Sequence, residues 1–127
     1  MSKATQTIRT APNEGAVLTK AVMRSADRLR LNHAAVATIL GLSPATVSRM
    51  ASGEYQLKRR EKAFELAVLL VRLYRSLDAI VSGDDEVARA WLRNPNDALR
   101  DAPMNMIRSI HGLVNVIQYL DARRAVL

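Results

Sequence analysis

The stretch from residue 61 to residue 81 constrains the fold of this chain more than any other segment. Its apolar side chains recur at spacings of three and four residues, namely Ala63, Leu66, Ala67, Leu70, Leu73, Tyr74, Leu77, Ile80 and Val81. This period predicts an α-helix, which at 1.5 Å per residue is about 30 Å long. Because Val68, Leu69 and Val71 fall outside that stripe, we expect the helix to be central to a core or to lie against a second chain.

The flanking segments also follow a helical period, and no segment of any length alternates as a strand does. Before the long helix we expect one helix from about Gly15 or Ala16 to Leu29, and two short ones inside residues 33–53. After it, the acids Asp84, Asp85 and Glu86 predict a helix start, and Asn94-Pro95 predicts its end. The sequence therefore predicts an all-α fold.

The last part of the chain is expected to form two more helices. Pro103 is expected to open a short helix through Ile110, and Gly112 to begin a final one. Residues 121–127 are expected to be a tail, since they have no apolar stripe to bury. At the other end, residues 1–15 are rich in Ser, Thr and Ala and are expected to be a disordered arm.

The segment from His33 to Gly53 has the pattern of a helix-turn-helix motif. Asn32 and Ser43 are predicted to cap its two helices, with Pro44 in the first helical position of the second. Ala37 is small enough for two helices to cross there, and Gly41 suits the tight turn. The apolar residues expected to lock the two helices together are Val36, Leu40, Leu42, Val47 and Met50.

Charge suggests what the motif binds. Residues 1–60 carry ten Lys and Arg side chains against three acids, so they hold the entire net charge of +7, while residues 61–127 are neutral. Such an asymmetry favours a polyanion, and we expect DNA to be the partner of the first half. The helix from Pro44 would lie in the major groove, with Arg49 as the best candidate to read guanine. The full set of expected DNA-binding residues is Ser43, Ala45, Thr46, Ser48, Arg49, Lys58, Arg59 and Arg60, the last three as phosphate contacts.

Other chemistry is scarce. The chain has no cysteine, and His33 and His111 have no partners at ligand spacing. We see no nucleophile, phosphate-loop or zinc motif, and therefore expect no metal, no cofactor and no enzymatic activity. No apolar run reaches the length of a membrane span, and the lack of cysteine fits a reducing compartment, so we expect a cytoplasmic protein.

The second half of the chain resembles a known family. Residues 88–99 (ARAWLRNPNDAL), followed by Pro103, Ile107, Gly112-Leu113, Val116 and Leu120, are similar to the toxin-binding domain of Xre/MbcA/ParS-type antitoxins. The motif at residues 33–53 resembles the Xre-type helix-turn-helix. The two halves occur in the order that the family has, and the resemblance covers roughly residues 17–121.

The resemblance implies an antitoxin that dimerises, represses its own operon and inhibits a RES-domain toxin that degrades NAD⁺. It also implies that Arg123, Arg124, Ala125, Val126 and Leu127 reach toward the nucleotide pocket of the toxin, although a frayed terminus explains that end equally well. Trp91 is expected to be a core anchor between the last three helices.

Two other functions remain open on the sequence. The chain is alternatively a homodimeric Xre-type repressor without a toxin partner, or a non-specific nucleoid-type protein, which the neutral second half argues against. The domains expected are an arm at 1–15, a helix-turn-helix domain at 16–60, a connecting or dimerisation helix at 61–81 and a toxin-binding domain at 82–127.

Overall fold

The computed structural model describes residues 13–125 of the chain. Seven helices occupy that range: α1 (Glu14–Leu29), α2 (His33–Leu40), α3 (Pro44–Ser52), α4 (Lys62–Ile80), α5 (Asp85–Arg93), α6 (Pro103–Met106) and α7 (Ile110–Ala125). Between α5 and α6 a single isolated bridge joins Asn96 and Asp101. The predicted all-α fold is confirmed.

The helix-turn-helix is built as the sequence predicts. Asn32 caps α2 by accepting a hydrogen bond from the backbone N–H of Ala35, and Ser43 caps α3 by accepting one from Thr46. Gly41 ends α2 with φ = 71°, a conformation that a residue with a Cβ adopts only with strain. The axes of α2 and α3 differ by 111°, within the range of helix-turn-helix proteins.

Helix α4 is the centre of the molecule. It packs against α1 and α2 from the first half of the chain and against α5 and α7 from the second, so both halves share it. Leu70, Leu73 and Leu77 are completely buried, and Val71, outside the predicted stripe, is nearly so. The expectation that α4 is central to a core is therefore confirmed.

A second contact joins the two halves at the C-terminal end of α1. From α5, Arg89 donates a hydrogen bond to the carbonyl of Arg28 at 2.7 Å, and Arg93 donates one to the carbonyl of Arg30 at 2.7 Å. Asp85 forms an ion pair with Arg28 at 3.4 Å. The guanidinium groups satisfy carbonyls that have no partner within their own helix, and their charge suits that end of the helix dipole.

The predicted boundaries of the last two helices are wrong. Helix α6 ends at Met106 rather than Ile110, and α7 begins at Ile110, two residues before Gly112. The hydroxyl of Ser109 accepts a hydrogen bond from the N–H of Gly112 at 3.1 Å and so supplies the cap. Gly112 has a different role: a Cβ there would stand 2.7 Å from the carbonyl carbon of Met106, so only glycine allows the turn after α6 to approach α7.

The expected C-terminal tail is also wrong over its described part, because α7 continues to Ala125. Asp121 lies within the helix and binds α4: it accepts a hydrogen bond from the buried hydroxyl of Ser76 at 2.9 Å and pairs with Arg72. Arg124 donates to the same hydroxyl of Ser76 at 3.1 Å. These polar contacts hold the last turns of α7 where apolar burial is lacking.

The expected arm is too long at its C-terminal end. Asn13 caps α1 by accepting a hydrogen bond from the N–H of Ala16, and Glu14 and Gly15 belong to the first turn. The remainder of that expectation, residues 1–12, lies outside the described residues, as do Val126 and Leu127.

Within residues 13–125, no single helix is long and apolar enough to span a membrane. Helices α2 and α3 reach that length and apolarity only when taken together across the bend between them.

Candidate functional site

The outward side of α3 is the first candidate site. Val47 and Met50 are buried in the same core cluster as Val36 and Leu40 of α2, so the opposite side of α3 faces solvent. That side presents the exposed residues Ser43, Ala45, Ser48, Arg49 and Ser52 and the half-buried Thr46. None of them is acidic, so nothing on this face repels a phosphate backbone.

Arg49 is the cation of that face. Its guanidinium lies 3.4 Å from the hydroxyl of Thr46, and the hydroxyl of Thr46 lies 2.9 Å from that of Ser43. Ser43 is thus occupied by the helix cap and by Thr46. Ala45 and Ser48 have short side chains, so a groove edge is able to approach α3 closely while Arg49 extends toward it.

The loop after α3 carries the predicted phosphate contacts, Lys58, Arg59 and Arg60, which we call the basic loop. All three are exposed. Arg59 pairs with Glu14 at the start of α1, and Lys58 lies over the ring of Tyr55 at 4.8 Å. Arg60 forms no ion pair with any residue from 13 to 125.

The basic loop is anchored on both sides. The buried Leu57 donates its N–H to the hydroxyl of Thr19 in α1 at 2.9 Å. Glu61 accepts a hydrogen bond from Tyr55 at 2.6 Å and another from the N–H of Lys58 at 2.7 Å. The bond from Tyr55 is the main cause that lowers the pKa of Glu61, and the same bond raises the pKa of Tyr55. Glu61 therefore stays ionised and holds the loop in place.

Two further cations, which the sequence pattern did not single out, lie beside this surface. Lys20 and Arg24 of α1, both exposed, line a groove of about 420 Å³ together with His33 at the start of α2 and Ala51 near the end of α3. Asp27 is the acid in that groove. The spacing of four residues, which places Lys20 and Arg24 on one side of α1, is the signal that would have found them.

The second candidate site lies on α5 and α7. Trp91 stacks on Tyr119 with ring centroids 6.2 Å apart and an angle of 13° between the planes. The guanidinium of Arg123 lies over the ring of Tyr119, 5.8 Å from the ring centroid, and donates a hydrogen bond to the Tyr119 hydroxyl at 2.9 Å. We call Trp91, Tyr119 and Arg123 the C-terminal stack.

The predicted core role of Trp91 is only partly met, because its ring packs on the core but remains half-buried. Of the predicted toxin contacts, Arg123, Arg124 and Ala125 are exposed on the last turns of α7, with Arg123 in the C-terminal stack and Arg124 bonded to Ser76. Tyr119 was not predicted, although its spacing of four residues from Arg123 is the signal that would have found it.

Among the described residues there is no group of three or more His, Asp or Glu side chains placed to hold a metal ion.

These features define a class of protein: a helix-turn-helix protein with an acid-free face on α3, joined through α4 to a second helical unit that carries a half-buried aromatic pair beside exposed arginines. Comparison with known families makes the class specific. Residues 9–72 match the antitoxin Xre-like helix-turn-helix domain, and residues 76–125 match the antitoxin Xre/MbcA/ParS C-terminal toxin-binding domain. The chain belongs to the Xre/MbcA/ParS-type antitoxins. No curated protein matches it.

Proposed function

We propose that this antitoxin neutralises a RES-domain toxin that degrades NAD⁺, and that as a homodimer it represses its own operon. The observation that carries the proposal is the presence of two separate exposed surfaces on one rigidly packed chain. The face of α3 is suited to DNA, and the C-terminal stack is suited to a protein. We also propose the functional division into a helix-turn-helix domain at 16–60, a connecting helix at 61–81 and a toxin-binding domain at 82–127.

For DNA, α3 enters the major groove and Arg49 contacts a guanine, whose O6 and N7 match the guanidinium fork. Lys58 and Arg60 contact phosphates and set the register of α3 on the duplex. Lys20 and Arg24 add exposed cations on α1 beside Ala51, near the C-terminal end of α3. A two-fold dimer would place two α3 helices on half-sites about 34 Å apart, as helix-turn-helix dimers do.

For the toxin, the C-terminal stack is the centre of contact. Trp, Tyr and Arg are the residue types that most often dominate the binding energy of protein interfaces. Stacking already holds Tyr119 and Arg123 in one arrangement, so less side-chain freedom is lost on binding. Arg124 and Ala125 follow on the same helix end and carry the contact toward the nucleotide pocket.

The test begins with the neighbouring reading frame, which we expect to encode a RES-type enzyme. Co-expression of that enzyme with the antitoxin should preserve cellular NAD⁺. Arg123→Ala should raise the antitoxin dose that this protection requires at least about tenfold. The matched control is Arg108→Ala, since Arg108 is also an exposed arginine and lies in the turn before α7.

Equal protection by both variants would remove Arg123 from the toxin contact. A neighbouring enzyme that leaves NAD⁺ intact, with or without the antitoxin, would contradict the proposed toxin class.

A further inference from the structure

The side of α4 that faces away from the core carries an apolar residue between charges of opposite sign. Glu65, Val68, Arg72 and Arg75 follow one another at spacings of three, four and three residues, so they share one side of the helix, and all four are exposed. The acidic Glu65 lies toward the N-terminal end of this side, and the basic Arg72 and Arg75 lie toward the C-terminal end. We call these four residues the α4 face.

Apolar surface continues from the α4 face onto α1. Val68 is 45% exposed and Val17 is 62% exposed, so both contribute apolar surface to this side of the molecule. A groove of about 590 Å³ runs between them, with Leu18, Ala21 and Val71 among its walls. On the other side of Val68 lie the partly exposed Phe64 and Leu69.

We propose that the α4 face is the interface of the homodimer, in which α4 of one chain packs antiparallel against α4 of a second copy with the two-fold axis at Val68. This inference rests on the proposed function, since it specifies the surface of the dimer invoked there. The occupant is a second copy because this two-fold rotation brings the acid of each face opposite the base of the other, as an isologous contact requires.

The register follows from helix geometry. With the two-fold axis at Val68, Arg72 of the second copy lies four residues along the helix from the axis. Glu65 of the first copy lies three residues from the axis in the same direction. At 1.5 Å per residue the two side chains differ in height by only about 1.5 Å. Each dimer therefore contains two such Glu–Arg pairs, one on either side of the paired valines.

The contacts within one chain leave these charges available. Arg72 pairs with Asp121, but its side chain is still 59% exposed, and a guanidinium has donors for a second carboxylate. Among residues 13–125, Glu65 pairs only with Lys62, at 3.7 Å and on the surface. Arg75 forms no ion pair within the same range.

Cysteine cross-linking tests the position of the axis. The chain has no cysteine of its own, so a single Val68→Cys substitution gives one thiol per chain. Helices in ordinary contact bring Cα atoms facing each other across the axis to roughly 4–5 Å, within reach of a disulfide. Val68→Cys should form a covalent dimer under mild oxidation, whereas Val87→Cys, at a valine of similar exposure on α5, should stay monomeric on a denaturing gel.

Light scattering across a concentration series tests the energetics. Val68→Glu should raise the dimer dissociation constant at least about tenfold, because it places two carboxylates together on the axis. Val87→Glu is the control and should leave it unchanged. Glu65→Arg should weaken the dimer more at low salt than at high salt, and its control is Glu86→Arg on α5. Circular dichroism should report folded chains throughout, since all four positions are exposed.

The outcomes separate this inference from the proposed function. A dimeric wild type whose mass is unchanged by Val68→Glu would overturn the α4 face but keep the homodimer. A monomeric wild type at every concentration would overturn both, while leaving toxin neutralisation testable. A Val68→Glu variant that stays dimeric but no longer protects NAD⁺ would assign this face to the toxin and overturn the inference. A mass unchanged by Val68→Glu, together with a Val68→Cys thiol that stays reduced, would also overturn it.

Discussion

Replacing Gly112 with alanine tests how tightly α6 and α7 are joined. Two effects oppose each other at this position. Alanine is favoured over glycine inside a helix by about 1 kcal/mol. Against this, the new Cβ would lie 2.7 Å from the carbonyl carbon of Met106, 3.1 Å from its Cα and closer still to its oxygen.

The atoms in the way belong to the backbone, so no side-chain rotation relieves the clash. We therefore take the upper end of the usual cost of overpacking, about 3 kcal/mol. Subtracting the gain in helix propensity leaves a net loss of about 2 kcal/mol in the free energy of unfolding. For a chain of this size that corresponds to a fall of roughly 6–10 °C in Tm.

Urea unfolding followed by tryptophan fluorescence suits this measurement. The chain has a single tryptophan, Trp91, which packs on α7 through Tyr119 and so reports the affected region. The control is Gln118→Ala, an exposed position on the same helix, for which we expect a change below about 0.5 kcal/mol. A Gly112→Ala variant as stable as wild type would refute the reasoning, because helix propensity would then outweigh the close approach.

The remaining predictions concern DNA binding and acid stability. Arg49→Ala should weaken binding to the operator by roughly 1–3 kcal/mol in gel-shift titrations and affect scrambled DNA much less, and equal losses on both would make Arg49 a phosphate contact. Substituting Lys58, Arg59 and Arg60 together with alanine should weaken all sequences alike and flatten the log–log salt dependence by about 0.9 for each phosphate that is no longer neutralised, with Arg59 contributing least because Glu14 already pairs with it. Burial raises the pKa of Asp121, but the hydrogen bonds from Ser76 and Arg72 outweigh burial and lower it below its ordinary 3.8. The ionised Asp121 therefore stabilises the fold at pH values above its ordinary pKa, and this stability is lost as pH falls through the lowered pKa of the folded state. Asp121→Asn should flatten the acid limb of a plot of unfolding free energy against pH.

The parts of the fold that the sequence predicts well are those whose causes are local. Asn32, Gly41 and Ser43 act on backbone groups within a few residues, so their identity alone places the ends of α2 and α3. The stripe of α4 is equally readable, because its period persists over the whole helix. The same holds for the direction of Arg49, which follows from the burial of Val47.

Distant contacts explain what the sequence did not predict. Gly112 suggests a helix start from the sequence alone. Glycine is required at this position for another reason, because the backbone at Met106 approaches it closely. Asp121 looked like part of a polar tail, since its partner Ser76 is on another helix. The stacking of Trp91 on Tyr119 depends in the same way on a contact between α5 and α7, which no spacing within either helix reveals.

The sharing of α4 bears on how such antitoxins diversify. The two family matches end and begin within this helix, at residues 72 and 76, yet its side chains fill the interior of both halves without a break. A gene fusion between residues 72 and 76 would join the N-terminal part of one relative to the C-terminal part of another. The two halves of α4 would then come from chains whose packing partners did not evolve together. Viable exchanges of toxin specificity would have to carry α4 whole, along with the arginines of α5 that close the end of α1.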